Sequence, residues 1–237
     1  MPKIMQKNII IAIAVLAVVA IAYAVYSQNS DKKSSDSLTQ TKSPNSVQTA
    51  SNNDSGTLTD GQYQIKPDQS TMNWYGKKIL VATEHHGTIA IKSGSLTIAD
   101  SKLSGGSFVI DMTTINDLDL DAASKVKLEG HLQSADFFNT TAYPEATLTI
   151  KQVTPVSGST SDYNVIADLQ IKDKTNEVSF QTSLSNASGL ISAEAKFNID
   201  RTLWDIRYGS GKFFEDLGDK VIDDTIRFEI KLVAQAS

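Results

Sequence analysis

The sequence predicts an all-β fold: an antiparallel, closed or nearly closed barrel of about eight strands with one short capping helix, preceded by a single hydrophobic N-terminal helix and a disordered linker. Three observations predict it. From Leu58 onward apolar residues recur at every second position in segment after segment, the period of a pleated strand with one wet face. Turn-forming residues punctuate those segments at short intervals. Ahead of them lie an uncharged apolar run, residues 9–26, and a polar stretch that contains almost no apolar side chains.

The N-terminal run follows Lys3 and Lys7 and approaches the length of a bilayer-spanning helix. Its Ala22-Tyr23-Ala24 triplet also fits a signal-peptide cleavage site. Residues 1–27 are therefore an export element, either a signal peptide cleaved after Ala24 or a transmembrane anchor, and the length favours the anchor. An extracytoplasmic domain tethered to the cytoplasmic membrane is expected, or a periplasmic or secreted one after cleavage. Residues 28–57 are rich in Ser, Asn and Thr, bury too little to offset their ordering entropy, and read as a flexible linker.

The folded domain spans 58–237. The clearest strand is the last, where Ile226, Phe228, Ile230 and Leu232 alternate with Arg227, Glu229 and Lys231. Ile191, Ala193, Ala195, Phe197 and Ile199 repeat that pattern, as do Val165, Ala167, Leu169 and Ile171, and Leu148 with Ile150. Shorter strands are expected at 63–66, 72–75, 88–92, 95–99, 107–111 and 178–184. Turns are expected at Lys66-Pro67-Asp68, Ser93-Gly94, Ser104-Gly105-Gly106, 155–161 and 186–189. So many short strands form a sandwich or a barrel, and closure is favoured because it removes exposed edges. Only 121–138 departs from the pattern: Val126, Leu128 and Leu132 suit one or two helical turns interrupted by Gly130.

Composition narrows the function. The chain has 237 residues with 40% apolar content, suited to one core, and its formal charge is -5 with Lys and Arg scattered among acids, so nucleic acid is not a partner. The absence of cysteine removes disulfides, thiolate metal sites and a thiol nucleophile.

The segment Leu128-Glu129-Gly130-His131-Leu132-Gln133-Ser134-Ala135-Asp136-Phe137-Phe138, with Tyr143-Pro144-Glu145-Ala146-Thr147 after it, resembles the YceI-like family. Phe197-Asn198-Ile199-Asp200-Arg201-Thr202-Leu203-Trp204-Asp205-Ile206-Arg207-Tyr208-Gly209-Ser210-Gly211 and Leu217-Gly218-Asp219-Lys220-Val221-Ile222-Asp223-Asp224 carry the same likeness. So do Trp74-Tyr75-Gly76-Lys77-Lys78, His86-Gly87 and Gly106-Ser107-Phe108-Val109-Ile110-Asp111-Met112. The resemblance implies a lipocalin-like barrel whose cavity takes a polyisoprenoid, quinone or fatty-acid-like lipid, with no cofactor and no catalysis; the alternative is a packed barrel that serves as a structural or interaction domain of the cell envelope with no small-molecule ligand. A homodimer is left open. This chain departs from the family pattern at Leu203 and Asp205, on either side of Trp204.

Within that frame the expected ligand-binding residues are Ala167, Ala193, Ala195 and Phe197 on the inner wall, and His131, Phe137, Phe138, Arg201, Trp204 and Tyr208 near the head group. Arg201 can offer a planar fork to oxygens, or can instead pair with a carboxylate and pack on Trp204 to pin its strand. His131 lacks a serine elbow and an orienting third group, so a structural role is expected of it. No metal site is assigned. His85 and His86 are strand neighbours whose rings diverge, and the acidic stretch 116–121 lacks the glycine and glutamate of a calcium loop and reads as solvated, with a weak surface calcium site left open.

Overall fold

The computed structural model describes residues 57–80 and 84–237; the predicted N-terminal helix, and the linker apart from Thr57, lie outside the described residues. Nine strands form one antiparallel sheet: β1 (Gly61–Ile65), β2 (Thr71–Lys77), β3 (Glu84–Ala99), β4 (Lys102–Asp117), β5 (Glu145–Pro155), β6 (Asp162–Ile171), β7 (Lys174–Ala187), β8 (Leu190–Asp200) and β9 (Thr225–Ala236). The helix α1 (Ala122–Gln133) lies between β4 and β5.

These nine segments occupy eight positions of a closed barrel. β1 and β2 share one position: β3 pairs with β1 near Leu96 and with β2 near Gly87, and β9 pairs with β1 near Gln235 and with β2 near Phe228. Between them the 3₁₀ turn Pro67–Gln69 interrupts the ladder at a proline, which has no N–H to give. Ser70 bridges the break, its hydroxyl donating to the Lys66 carbonyl at 2.8 Å and accepting from the Val233 amide at 3.0 Å. Pairing of β3 with β4 completes the circle.

Two expected turns prove to lie inside strands. Ser93-Gly94 belongs to β3, where the register shifts between Ile91 and Ser93. Inward residues change there from Ile89 and Ile91 to Leu96 and Ile98, an odd-to-even switch that one bulge residue produces. Ser104-Gly105-Gly106 lies within β4. The true β3–β4 reversal is at Asp100 and Ser101, with φ of 51° and 57°, the two successive left-handed residues that match the twist of a hairpin. Short polar side chains tolerate that geometry, so no glycine marks the turn.

The helix is also longer than expected. It runs unbroken through Gly130 for 12 residues, started by the Asp121 carboxylate, which accepts from the Ala123 and Ser124 amides. Leu128 and Leu132 face the core, whereas Val126, expected to join them, is 69% exposed.

A Cβ on Gly87 would stand 2.0 Å from the Asn116 carbonyl oxygen and 2.7 Å from the Trp74 ring, while one on Gly105 would meet nothing within 4 Å. Gly87→Ala is expected to destabilise the domain by about 3 kcal/mol, the upper end of overpacking costs, and Gly105→Ala to change stability by less than about 0.5 kcal/mol. Urea midpoints of the two variants check this. Equal midpoints would mean that β3 and β4 yield at no cost.

An apolar cavity inside the barrel

Alternation turns one face of every strand inward, and the inward side chains do not fill the space they enclose. A cavity of about 530 Å³ remains, within the range of about 300–1,000 Å³ that suits a small-molecule ligand. Along one wall Phe180, Phe197 and Phe228 succeed one another on β7, β8 and β9, with ring centroids 4.9 and 5.7 Å apart. Ala146, Ala193 and Ala195 line the cavity as the small residues that leave it open.

The two ends differ. Where β1 begins, Tyr63, Ile98, Tyr163, Ile191 and Ala234 are buried but contribute no wall; they plug that end. At the other end the walls come from α1 and the residues after it (Leu128, His131, Leu132, Phe137, Phe138), and from the β8–β9 connection (Arg201, Tyr208, Lys220, Ile222, Asp223). Lys77, Lys78 and His85, at the facing ends of β2 and β3, complete this end.

Arg201 organises the β8–β9 connection. Its side chain is fully buried, and its guanidinium donates to the carbonyls of Ile206 at 2.7 Å, Asp223 at 3.1 Å and Ile222 at 3.3 Å. An Asp224 carboxylate oxygen lies 3.1 Å away, and the Phe137 ring lies 5.4 Å from the guanidinium carbon. Of the two roles left open by the sequence, the pinning one has these contacts, although Arg201 also forms part of the cavity wall. Asp200 caps the 3₁₀ turn Arg201–Trp204 by accepting from the Thr202 amide. The turn ends at Asp205, with φ of 60°, a left-handed conformation that aspartate tolerates better than most residues.

Eight of the ten expected ligand residues line the cavity: His131, Phe137, Phe138, Ala193, Ala195, Phe197, Arg201 and Tyr208. Trp204 and Ala167 do not. Trp204 is buried outside the cavity, its indole N–H donating to the Leu169 carbonyl at 3.0 Å, and Ala167 is fully enclosed without facing the open space. The His131 ring meets the edges of Tyr208 and Phe137, with centroids 4.4 and 5.6 Å away. Burial lowers the His131 pKa below the ordinary histidine value; Asp136 opposes that and Arg201 reinforces it, so the ring is neutral at pH 7.

Sequence reasoning missed Trp74. It sits on β2 facing the cavity, 7% exposed, and its indole N–H meets no acceptor among the described residues. His131 Nε2 is likewise buried and unpartnered. An inward tryptophan on a predicted strand was the available signal, because a buried indole N–H normally finds a partner.

The histidine pair also differs from expectation. His85 lines the cavity and His86 stacks on Tyr75, opposite faces as strand alternation requires. Yet Asp119 lies at the strand edge and reaches both rings, its oxygens 2.9 Å from His85 Nδ1 and 3.6 Å from His86 Nδ1. Burial pushes the Asp119 carboxyl up, but hydrogen bonds from the His86 amide and His85 ring outweigh that and leave its pKa lowered. Asp117, expected in a solvated loop, is fully buried, and one of its oxygens accepts from the Asp119 and Leu120 amides. Single donor atoms of His85, Asp117 and Asp119 lie within 4.8 Å of one another, a set of oxygens and one imidazole nitrogen that could hold a divalent ion.

Removing the Arg201 guanidinium strands Asp224 and three carbonyls, so Arg201→Met is expected to cost about 3–5 kcal/mol in a denaturation curve. For His131 the folded pKa lies below the unfolded value of about 6.5, so the unfolded chain takes up the proton first as pH falls. Its contribution is intact above pH 6.5 and declines as the solution is acidified through and below that value. His131→Phe is therefore expected to flatten the loss of stability between pH 7 and 5; an unchanged slope would assign that loss to other groups.

No curated protein sequence matches the chain. Among solved structures it is similar to Burkholderia cenocepacia BcnA, at 22% identity and a TM-score of 0.57, over 72% of this chain and 99% of that one. It is also similar to a polyisoprenoid binding domain from Saccharophagus degradans implicated in plant cell wall breakdown, at 16% identity and a TM-score of 0.53, over 74% of this chain and 98% of that one. A Campylobacter jejuni YCEI protein matches at 15% identity and a TM-score of 0.50, over 68% of this chain and 90% of that one. These structural likenesses show a shared barrel fold. The family model for the YceI-like domain matches residues 63–234, nearly the whole barrel, and the chain belongs to the YceI-like family.

Proposed function

We propose that this protein is a non-enzymatic carrier that holds a long apolar amphiphile, a polyisoprenoid, an isoprenoid quinone or a fatty-acid-like lipid, inside its barrel. It works outside the cytoplasmic membrane, attached to it by the N-terminal apolar segment or released after Ala24. The observation that carries this reading is the cavity itself, a continuous space of about 530 Å³ walled mainly by aliphatic and aromatic side chains and plugged at one end. A barrel serving only as a scaffold gains nothing from leaving its interior open, because each unfilled gap forfeits packing.

Each methylene transferred from water into such a space contributes about 0.8 kcal/mol, so a tail is held without polar contacts. A plug at one end and polar side chains at the other favour a tail-first orientation. The Saccharophagus degradans relative, described as a polyisoprenoid binding domain, supports the ligand class.

Native mass spectrometry of the chain purified from a bacterial host, followed by organic extraction, tests the proposal. One bound isoprenoid or acyl lipid per chain is expected. A bare protein that also refuses added prenyl lipids would overturn the carrier reading and leave the surface loops as the functional part.

A further inference from the structure

The turn that leads from β4 into α1 holds a carboxylate whose charge no cation meets among the described residues. Asp117, the last residue of β4, is fully buried. One of its oxygens accepts from the Asp119 and Leu120 amides at 3.2 and 2.9 Å, and the other is buried without a hydrogen-bond partner. An asparagine would cap those two amides equally well, so the cap uses neither the charge nor the second oxygen. Lys125, the nearby cation, is turned to other groups: its ammonium donates to the Asn116 side-chain oxygen and the Asp117 backbone carbonyl, both at 2.7 Å, and lies 3.6 Å from Glu129. A buried carboxylate without a counter-charge is costly, and it is relieved by taking up a proton or a cation.

Backbone pairing brings further donors to it. Asp117 pairs with Gly87 of β3, and the Leu118 amide donates to the His86 carbonyl at 2.9 Å, so the pairing continues beyond the end of the strand. Residues two apart share a face, which sets Asp117 and Asp119 on the same face as His85, and Gly87, opposite Asp117, puts no side chain in the way. One donor atom from each of His85, Asp117 and Asp119 falls within 4.8 Å of the others. His85 Nδ1 stands 2.9 Å from one Asp119 oxygen, near the spacing of about 3.0–3.4 Å that two donors about 2.1 Å from a common ion adopt. The His86 amide holds the other Asp119 oxygen at 2.8 Å. His85 and Asp119 are partly exposed and give an ion a way in from solvent.

Two carboxylates and an imidazole are a donor set of intermediate softness, whereas Ca²⁺ and Mg²⁺ take oxygen ligands. We propose that His85, Asp117 and Asp119 bind one divalent transition-metal ion, Zn²⁺ or Mn²⁺ in preference to Ca²⁺ or Mg²⁺, and that the ion clamps the start of β3 to the turn that enters α1. Water fills the remaining coordination positions.

The test titrates the untagged full chain, stripped with EDTA, with the chlorides of the four ions in a calorimeter. One Zn²⁺ per chain is expected, bound more tightly than Mn²⁺ and at least about tenfold more tightly than Ca²⁺ or Mg²⁺. Asp117→Asn, which keeps the cap on the turn, and His85→Gln are each expected to weaken Zn²⁺ at least about tenfold, the loss that follows removal of even an outer partner of a metal ligand. Zn²⁺ is expected to raise the melting temperature of the unaltered chain and to slow amide exchange at Leu118, Asp119 and Leu120, and to do neither in the two variants. His86→Gln, whose ring lies on the opposite face, is expected to bind Zn²⁺ as the unaltered chain does.

A stripped chain that takes up no Zn²⁺ would overturn the inference, as would binding that survives in Asp117→Asn. Binding lost in His86→Gln but kept in His85→Gln would assign the ion to the outer histidine and overturn it as well. Tighter binding of Ca²⁺ than of Zn²⁺ would exclude the imidazole and do the same. Each of these outcomes leaves the carrier reading standing, because that reading rests on the cavity.

Discussion

The open end of the barrel depends on one buried cation. Between β8 and β9 the chain leaves the sheet over 201–224, touching it on the way only through a single antiparallel bridge between Ile222 and Lys78, and a connection of that length needs a further fixture. Arg201 supplies the missing fixture by gathering the carbonyls of Ile206, Ile222 and Asp223 onto one planar group, with Asp224 for charge balance. Burying a guanidinium is unfavourable unless its donors are met, and here the backbone meets them. Lysine, with a compact ammonium and no planar fork, could not hold three carbonyls arranged in this way.

The same connection positions the cavity's polar lining. Tyr208 reaches the wall because the chain on either side of it is tied down, the Ile206 carbonyl accepting from the Arg201 guanidinium at 2.7 Å and the Gly209 carbonyl from the Ile222 amide at 2.8 Å. His131 then packs against Tyr208 from the opposite side, so α1 and the β8–β9 connection meet through an aromatic contact over the cavity. Rigidity at one end and a plug at the other define a space of fixed length. Such a space discriminates by shape before any hydrogen bond is made.

Barrel architecture was legible because it rests on the period of two, which a sequence displays directly. Ile226 to Leu232 and Ile191 to Ile199 carry that period without interruption, and both segments are strands. Errors arose where a strand changes parity. The bulge near Ser93 and the glycines at 105 and 106 resembled turns because bulges and turns use the same residues, and pairing with a distant strand decides between them. The site was legible in part. A periodic pattern shows that Ala193 and Ala195 face inward, but whether an inward residue meets open space or a neighbour is a property of packing. Ala167 and Trp204 were lost for that reason. Trp74 was missed because its importance lies in an unmet N–H, which only a complete set of neighbours reveals.

A ligand in such a cavity would meet two kinds of contact, and they scale differently. Contact with the aliphatic and aromatic wall is non-directional and grows with the apolar area buried, so it retains any tail that fits and distinguishes poorly among chains of similar length. Selectivity must come from groups whose energy depends on geometry. In an apolar surround such a group is worth more than at the surface, because water does not compete with it and leaving it unmet is costly. A barrel walled by aliphatic side chains therefore needs few polar atoms to choose its cargo. Adding more would raise the cost of the empty state, which a carrier must pass through each time it releases what it holds.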